Sequence, residues 1–212
     1  MFYHGQAIYI LHTDDSILAG PSDKELTKII SCMKKAQLNI SVEGDISDFL
    51  GVNIDRKTDG SIHLTQPQLI SRILQDLWVH HPATATKDKL AKANQLLWHL
   101  QEEEDFDNHF DYHSIMGKLN YLEKSTCPDI SFAVHQCTQF MASPKKEHGK
   151  ALNLLGRYLL ATCHQGLIYR PTTKGFDCYM DADFSGNWDK GFSLTDSNTA
   201  YSCTGFIATF AG

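Results

Sequence analysis

Apolar and polar residues alternate through residues 7–19, "AIYILHTDDSILA", on both sides of two adjacent aspartates. Period-two alternation interrupted by a short polar stretch predicts a β-hairpin with Asp14 and Asp15 at its tip. The pattern then switches to a helical period. Leu26, Ile29, Ile30 and Met33 recur on one face and lysines occupy the other, while Ser22 and Glu25 have the spacing of a capping box. A second hairpin follows in "DFLGVNIDRKTDGSIHLTQ". Leu50, Val52 and Ile54 are expected on one face, answered by Ile62 and Leu64, with Asp59-Gly60 supplying a positive-φ turn. Thr65 and Gln68 then suggest another capping box, with Pro67 tolerated in the first turn of a helix that buries Leu69, Ile70, Ile73, Leu74 and Leu77.

Residues 79–110 carry the weakest pattern. Pro82 and the Ala-Thr run read as a linker, a short helix is allowed near Leu90 to Leu100, and the acidic run Glu102 to Asp107 reads as a solvated face or loop. Three closely spaced amphipathic helices come next. The first carries Ile115, Leu119 and Leu122. The second begins at "TCPDI" and carries Ile130, Ala133, Val134, Cys137 and Met141. The third starts at Ser143-Pro144 and carries Ala151, Leu155, Tyr158 and Leu159. After Gly166 the period returns to two in "GLIYR", "FDCYMDADF" and "YSCTGFIATF". Strands, then helices, then strands read as an α+β arrangement or as pieces of two domains. The chain opens almost directly on one strand and closes on another, so both ends read as cut from something longer.

The composition narrows the partners. The 212 residues are 42% hydrophobic, enough for a core, and carry a net charge of −6. That charge argues mildly against a phosphate-binding surface, although a local basic patch is compatible with it. No apolar run approaches the ~20 residues of a membrane span. The N-terminus lacks the basic region of a signal peptide. The six cysteines, Cys32, Cys127, Cys137, Cys163, Cys178 and Cys203, form no C-x-x-C pair. They read as reduced, intracellular and mostly buried, with cytoplasm and nucleus not distinguished.

Two carboxylate groups are candidates for chemistry. Asp14-Asp15 on a tight hairpin would suit Mg²⁺, a hard cation that takes oxygen ligands and leaves room for phosphate oxygens. Taken alone, the pair is more simply an ordinary polar turn, since Asp is a common turn residue. In "YMDADFSGNW", strand alternation would place Asp181 and Asp183 on one face, a second possible metal site. His80-His81 has neither helical metal spacing nor cysteine companions and reads as surface.

In order along the chain, these segments resemble the reverse transcriptase and early ribonuclease H region of a copia-type retrotransposon Pol polyprotein. "HTDDSILAG" resembles the family's Tyr-Val-Asp-Asp hairpin, and "DFLGVNIDRKTDGSIHLTQPQLISRIL" the hairpin and helix after it. The long stretch from "YHSIMGKLNYL" to "GRYLLAT" is similar to the helical segment before ribonuclease H. "CYMDADFSGNW" and "SCTGFIATFAG" resemble the family's "GYxDADWAG" and "STSGYxFxLGG". The resemblance covers nearly the whole chain except residues 79–110.

The resemblance implies a palm remnant over residues 1–65, a helical thumb- or connection-like segment over 66–165 with a variable linker at 79–110, and a ribonuclease H start over 166–212. It implies polymerase metal ligands at Asp14 and Asp15, a ribonuclease H metal ligand at Asp181, Mg²⁺ or Mn²⁺ as cofactor, and an RNA/DNA template–primer with dNTP as partners of the complete protein. His12 and Thr13 stand where the family places residues near the primer end, and Phe49 to Leu64 where the primer grip falls. A third polymerase carboxylate is expected upstream of Met1 and the other ribonuclease H acids beyond Gly212.

The departures share a direction. Cys127 stands in the family's "TRPDI". Leu154, Gly156 and Leu160 interrupt its "RILRYLKGT", where Arg157 stays. Ala200 and Tyr201 replace paired arginines. Loss of basic positions lowers affinity for phosphates. The expectation is an isolated chain that keeps its packing and lacks activity. The alternatives are a non-catalytic nucleic-acid-binding or interaction module, and a surviving ribonuclease H nuclease built on Asp181 and Asp183.

Overall fold

A computed structural model describes residues 1–79, 97, 104–170, 172, 175–185, 188, 190–191, 193–195, 200–202 and 204–210. The expected helix near Leu90 to Leu100 (Leu97 excepted), the Pro82 linker, His80-His81, Glu102, Glu103 and Cys203 lie outside the described residues. The chain divides into two compact units, residues 1–54 and 55–212. The architecture is mixed α+β with small antiparallel sheets.

The first unit begins with a three-stranded meander of β1 (Phe2–His4), β2 (Ala7–His12) and β3 (Asp15–Ala19). The predicted hairpin is β2–β3. α1 (Asp23–Lys35) follows, and its N-cap Ser22 hydroxyl accepts from the Glu25 N–H at 3.4 Å. Gly20 lets this helix close on the sheet, because a Cβ there would stand 2.8 Å from Leu26 Cδ2 and 3.4 Å from Ala7 Cβ. Ala7 is buried, yet Leu26, Ile29, Ile30 and Met33 are only half-buried.

The unit ends in β4 (Asp48–Phe49) and the first residues of β5 (Val52–Arg56). Here one expectation fails. Leu50 does not continue a strand face with Val52 and Ile54. It sits with Gly51 in a two-residue turn between β4 and β5, with φ of 52° and 74°, while Phe49 pairs with Val52. Both turn residues occupy the left-handed region that such hairpin turns require.

The second unit holds the core. The turn after β5 is the Asp59-Gly60 turn read from the sequence, with Gly60 at φ 82°. Asp59 Oδ1 accepts from the Ser61 N–H at 2.9 Å and its hydroxyl at 2.7 Å, which holds the Asp59 carboxyl below the usual carboxylate range. β6 (Ile62–Thr65) pairs antiparallel with β7 (Leu167–Tyr169). α2 (Pro67–Asp76) starts from Gln66, which makes no side-chain cap bond, so Thr65 and Gln68 form no capping box. Pro67 at the first position has no N–H to satisfy, which removes one donor that a cap would otherwise serve.

α3 (Tyr112–Ser125) is capped by Asp111, whose carboxylate accepts from the Ser114 N–H at 2.9 Å. A 3₁₀ turn at Pro128–Ile130 leads into α4 (Ser131–Thr138), and α5 (Lys146–Thr162) follows. Ile70, Ile73, Ile115, Met116, Leu119, Leu122, Ile130, Leu152, Leu155 and Leu159 interlock in one cluster, each at most 1% exposed. All but Met116 and Leu152 lie on the stripes the helical period predicts, while Leu69, Met141, Ala151 and Tyr158 of those stripes are only partly buried. β8 (Phe176–Ala182) and β9 (Thr204–Phe210) form a separate two-stranded ribbon.

The cysteines are less uniformly buried than expected. None of the five described forms a disulfide. Cys127 and Cys137 are buried, Cys163 is intermediate, and Cys32 and Cys178 are exposed. Cys32 lies off the apolar stripe of α1, and Cys178 lies on the uncovered ribbon. Burial pushes the Cys137 thiol up from 9.0 to about 12 and raises that of Cys127 as well. A thiol-specific reagent at neutral pH is therefore expected to modify Cys32 and Cys178 within minutes, and Cys127 and Cys137 only after denaturant is added. Because burial raises these two thiols, they favour the folded state below the unfolded thiol value. Stability should fall as pH rises from there toward about 12, the Cys137 value. Rapid native labelling of Cys137 would contradict this burial.

Candidate active-site hairpin

β2 and β3 run in register from Ile8↔Ala19 to His12↔Asp15, leaving Thr13 and Asp14 as a two-residue loop. Thr13 adopts φ 50°. A β-branched residue in the left-handed region is strained by roughly 1–3 kcal/mol. His12 faces Asp15 across the last pair of the ladder, and residues 11–16 are exposed. The strand pattern thus delivers both carboxylates to solvent at one tip, Asp14 in the loop and Asp15 as the first residue of β3.

Two adjacent carboxylates fit part of a Mg²⁺ shell, since that ion is held by one or two protein carboxylates with water and substrate phosphates completing it. Among the described residues, no group of three or more His, Cys, Asp or Glu is gathered closely enough to hold a metal.

The second candidate pair is not held by one strand. Asp181 lies in β8 opposite Gly205, but the strand ends at Ala182, so Asp183 falls beyond the ladder that would have fixed its face. Both residues are exposed. Gly186 and Asn187 of the same motif lie outside the described residues. Arg157 is exposed on α5.

The replaced basic positions fall into two groups. Cys127 is buried, and a Cβ on the buried Gly156 would stand 2.8 Å from Leu77 Cδ1 and 3.4 Å from Val79 Cγ2. Leu160 packs partly buried against the core. A charged side chain at Cys127 or Gly156 would lie in the core, so these two are packing positions here rather than vacated phosphate contacts. Ala200 and Tyr201 are exposed and stay compatible with lost contacts.

The sequence reading missed how the acidic run is held. The charges of Glu104, Asp105 and Asp107 are exposed, as expected, but the backbone is docked. The Lys146 N–H donates to Glu104 O at 3.1 Å and the Phe106 N–H to Pro144 O at 3.3 Å. Lys146 Nζ reaches Glu104 at 2.6 Å and Lys145 Nζ reaches Asp105 at 2.5 Å. The Lys146 ammonium holds the Glu104 carboxyl below its usual range. Phe106 is buried against Gly149 of α5, where a Cβ would stand 2.6 Å from the ring. The available signal was Phe106 and Phe110, aromatics four residues apart inside a polar stretch.

No protein-family model matches the chain, and no solved structure matches it. Similar sequences are the Retrovirus-related Pol polyprotein from transposon TNT 1-94 of Nicotiana tabacum, 27% identical over 209 residues and 97% of this chain, and that from transposon RE2 of Arabidopsis thaliana, 30% identical over 186 residues and 86% of this chain. The putative transposon Ty5-1 protein of Saccharomyces cerevisiae is 27% identical over 97% of this chain and 63% of its own length. The chain spans 15% of the tobacco polyprotein and 12% of the Arabidopsis one. Over most of its length the chain is thus similar to one segment of retrotransposon Pol polyproteins, which supports its being a fragment of such a polyprotein.

Proposed function

We propose that this segment is the C-terminal part of a reverse transcriptase followed by the start of a ribonuclease H region, and that the chain by itself does not polymerise DNA. The observation that carries the reading is the β2–β3 hairpin. It exposes Asp14 and Asp15 side by side at its tip, in a chain homologous to Pol polyproteins. In the complete protein, RNA-directed DNA synthesis would proceed by two-metal nucleotidyl transfer on an RNA/DNA template–primer and dNTP. Asp14 and Asp15 would hold Mg²⁺ or Mn²⁺, and the ion would neutralise charge on the phosphates. His12 and Thr13, beside the carboxylates, would approach the primer end. Asp181 would serve the ribonuclease H region in the same way.

Two carboxylates that no third ligand joins among the described residues would hold Mg²⁺ weakly, which is the basis for reading the chain alone as inactive. Purified chain incubated with template–primer, dNTP and Mg²⁺ is expected to incorporate no nucleotide. Extension that disappears in Asp14→Asn would overturn the inactivity. Extension that persists in Asp14→Asn would overturn the site assignment.

The nucleic-acid-binding module has less support. Lys145 and Lys146 at the start of α5 pair with Asp105 and Glu104, Lys150 pairs with Glu147, and Lys118 pairs with Asp76. Phosphates would have to displace those carboxylates before any counterion release could drive binding. A steep salt dependence of RNA–DNA hybrid binding would restore that reading.

A further inference from the structure

The first turn of α5 contains a buried histidine. The His148 ring is 1% exposed and lies flat on Phe140, with centroids 4.0 Å apart and planes inclined by 17°. His148 is the third residue of the helix, and its Nδ1 accepts from the backbone N–H of the N-cap residue Lys145 at 2.9 Å. An accepting Nδ1 carries no proton, so the geometry assigns the neutral Nε2–H tautomer.

Lys145 also carries the acidic segment. It faces Asp105 in an antiparallel bridge, flanked by the bonds from the Phe106 N–H to Pro144 O and from the Lys146 N–H to Glu104 O. In such a pair the central N–H points away from the partner strand. The Lys145 N–H therefore turns from the segment to His148, and the ring fixes the backbone on which the segment docks.

A second proton on His148 would set an Nδ1–H against the Lys145 N–H, donor facing donor. It would also place a cation at the positive end of the helix dipole. The charged and titratable groups around this helix end are Lys145, Lys146, Glu147 and Lys150, then Glu104, Asp105, Asp107 and His109 of the segment, His135 of α4 and Tyr112 of α3. Each of these carboxylates is already paired with a lysine or a histidine. His135 bonds to Gln139, and the Tyr112 hydroxyl donates to Cys137 O. Residues 139–144, which include Phe140, carry no charge.

We propose that His148 is a pH-sensitive latch. Neutral, it fixes Lys145 and keeps residues 104–106 docked on α5. Protonated, it releases them. The docked state excludes a proton that a released imidazole takes up at about pH 6.5. Docking is therefore complete above that pH and weakens below it, the released fraction rising up to about tenfold per pH unit. Release uncovers the Phe106 ring and frees the Lys145 and Lys146 ammonium groups. The latch needs neither metal nor nucleic acid, so it stands apart from the polymerase reading.

Amide hydrogen exchange of the full chain between about pH 8 and about pH 5, corrected for intrinsic rates, tests the latch. Protection of the Phe106 and Lys146 amides should fall by up to about tenfold per pH unit below about pH 6.5, while Leu119 in α3 keeps its protection. Nitrogen NMR of the His148 ring should show Nδ1 gaining its proton over the same range. His148→Gln places at the third position a non-titrating acceptor of the kind a capping box uses, and should make the protection independent of pH. Glu104→Gln/Asp105→Asn should keep the wild-type response, because carboxylates titrate lower, at about 4. Wild-type protection that stays flat to about pH 5, or Leu119 protection that falls in step, overturns the proposal. So does a His148 ring that titrates while the segment stays docked, which decides the matter even if His148→Gln fails to fold. A pH response that persists in folded His148→Gln, or that vanishes in Glu104→Gln/Asp105→Asn, overturns it as well.

Discussion

Replacing Gly166 by Ala is expected to destabilise the second unit by about 3 kcal/mol or more, a larger loss than overpacking usually brings. Gly166 links the end of α5 to β7 where the chain runs against β6. A Cβ there would collide with the Leu64 carbonyl oxygen and stand 3.0 Å from Thr65 Cγ2. The obstacle is backbone already committed to the sheet, with Leu64 paired to Leu167. It cannot rotate aside as a side-chain tip could. The methyl group would therefore push β7 off β6. Urea denaturation should show the midpoint falling, and amide exchange at Leu167 and Tyr169 should accelerate first.

Gly117 is the matching control. It lies exposed in the interior of α3 with nothing within 4 Å of a Cβ. Gly117→Ala should stabilise by roughly 0.5–1 kcal/mol through reduced backbone entropy. Equal effects at the two glycines would contradict the close approach at Gly166.

Phe106→Ala should cost about 3–5 kcal/mol, the usual range for removing a buried phenyl ring from a core. The ring is 5% exposed and lies on Gly149, with Phe110 at 4.7 Å and Tyr112 at 5.9 Å between centroids. Its removal leaves a gap that the rigid helix α5 cannot close. The ion pairs around it are of another order. Glu104 and Asp105 are exposed, and such pairs contribute little. Glu104→Gln should barely move the denaturation midpoint. If Phe106→Ala were as mild as Glu104→Gln, the acidic segment would be held by its charges and not by its aromatic anchor.

These two sites also show where sequence reading reaches its limit. The helical stripes of α2, α3, α4 and α5 were legible because period 3.6 and burial coincide at Ile70, Ile73, Ile115, Leu119 and Leu155. Both hairpins were legible from alternation and from Asp59-Gly60. Leu50 was misplaced because a leucine at positive φ is rare, and only the neighbouring Gly51 hinted at a turn. Phe106 was hidden because acidic neighbours gave the segment a solvated composition, while the groove beside Gly149 is made by a helix 40 residues away. Gly156 reads in sequence as a lost basic position, because the side chains of Leu77 and Val79 that would crowd a Cβ there come from a distant part of the chain. The aspartates of the hairpin were legible as a pair. That no third described ligand approaches them depends on tertiary placement, which local spacing does not encode.

The central proposal is that Asp14 and Asp15 are a metal-ligand pair of polymerase ancestry, joined by no third protein ligand among the described residues. Paramagnetic broadening of amide resonances by Mn²⁺ tests it most directly. The account predicts selective, weak broadening at residues 12–16, abolished in Asp14→Asn/Asp15→Asn, with saturation only at millimolar ion as two carboxylates allow. Absence of any broadening at the hairpin, or tight micromolar binding there by the chain alone, would contradict it.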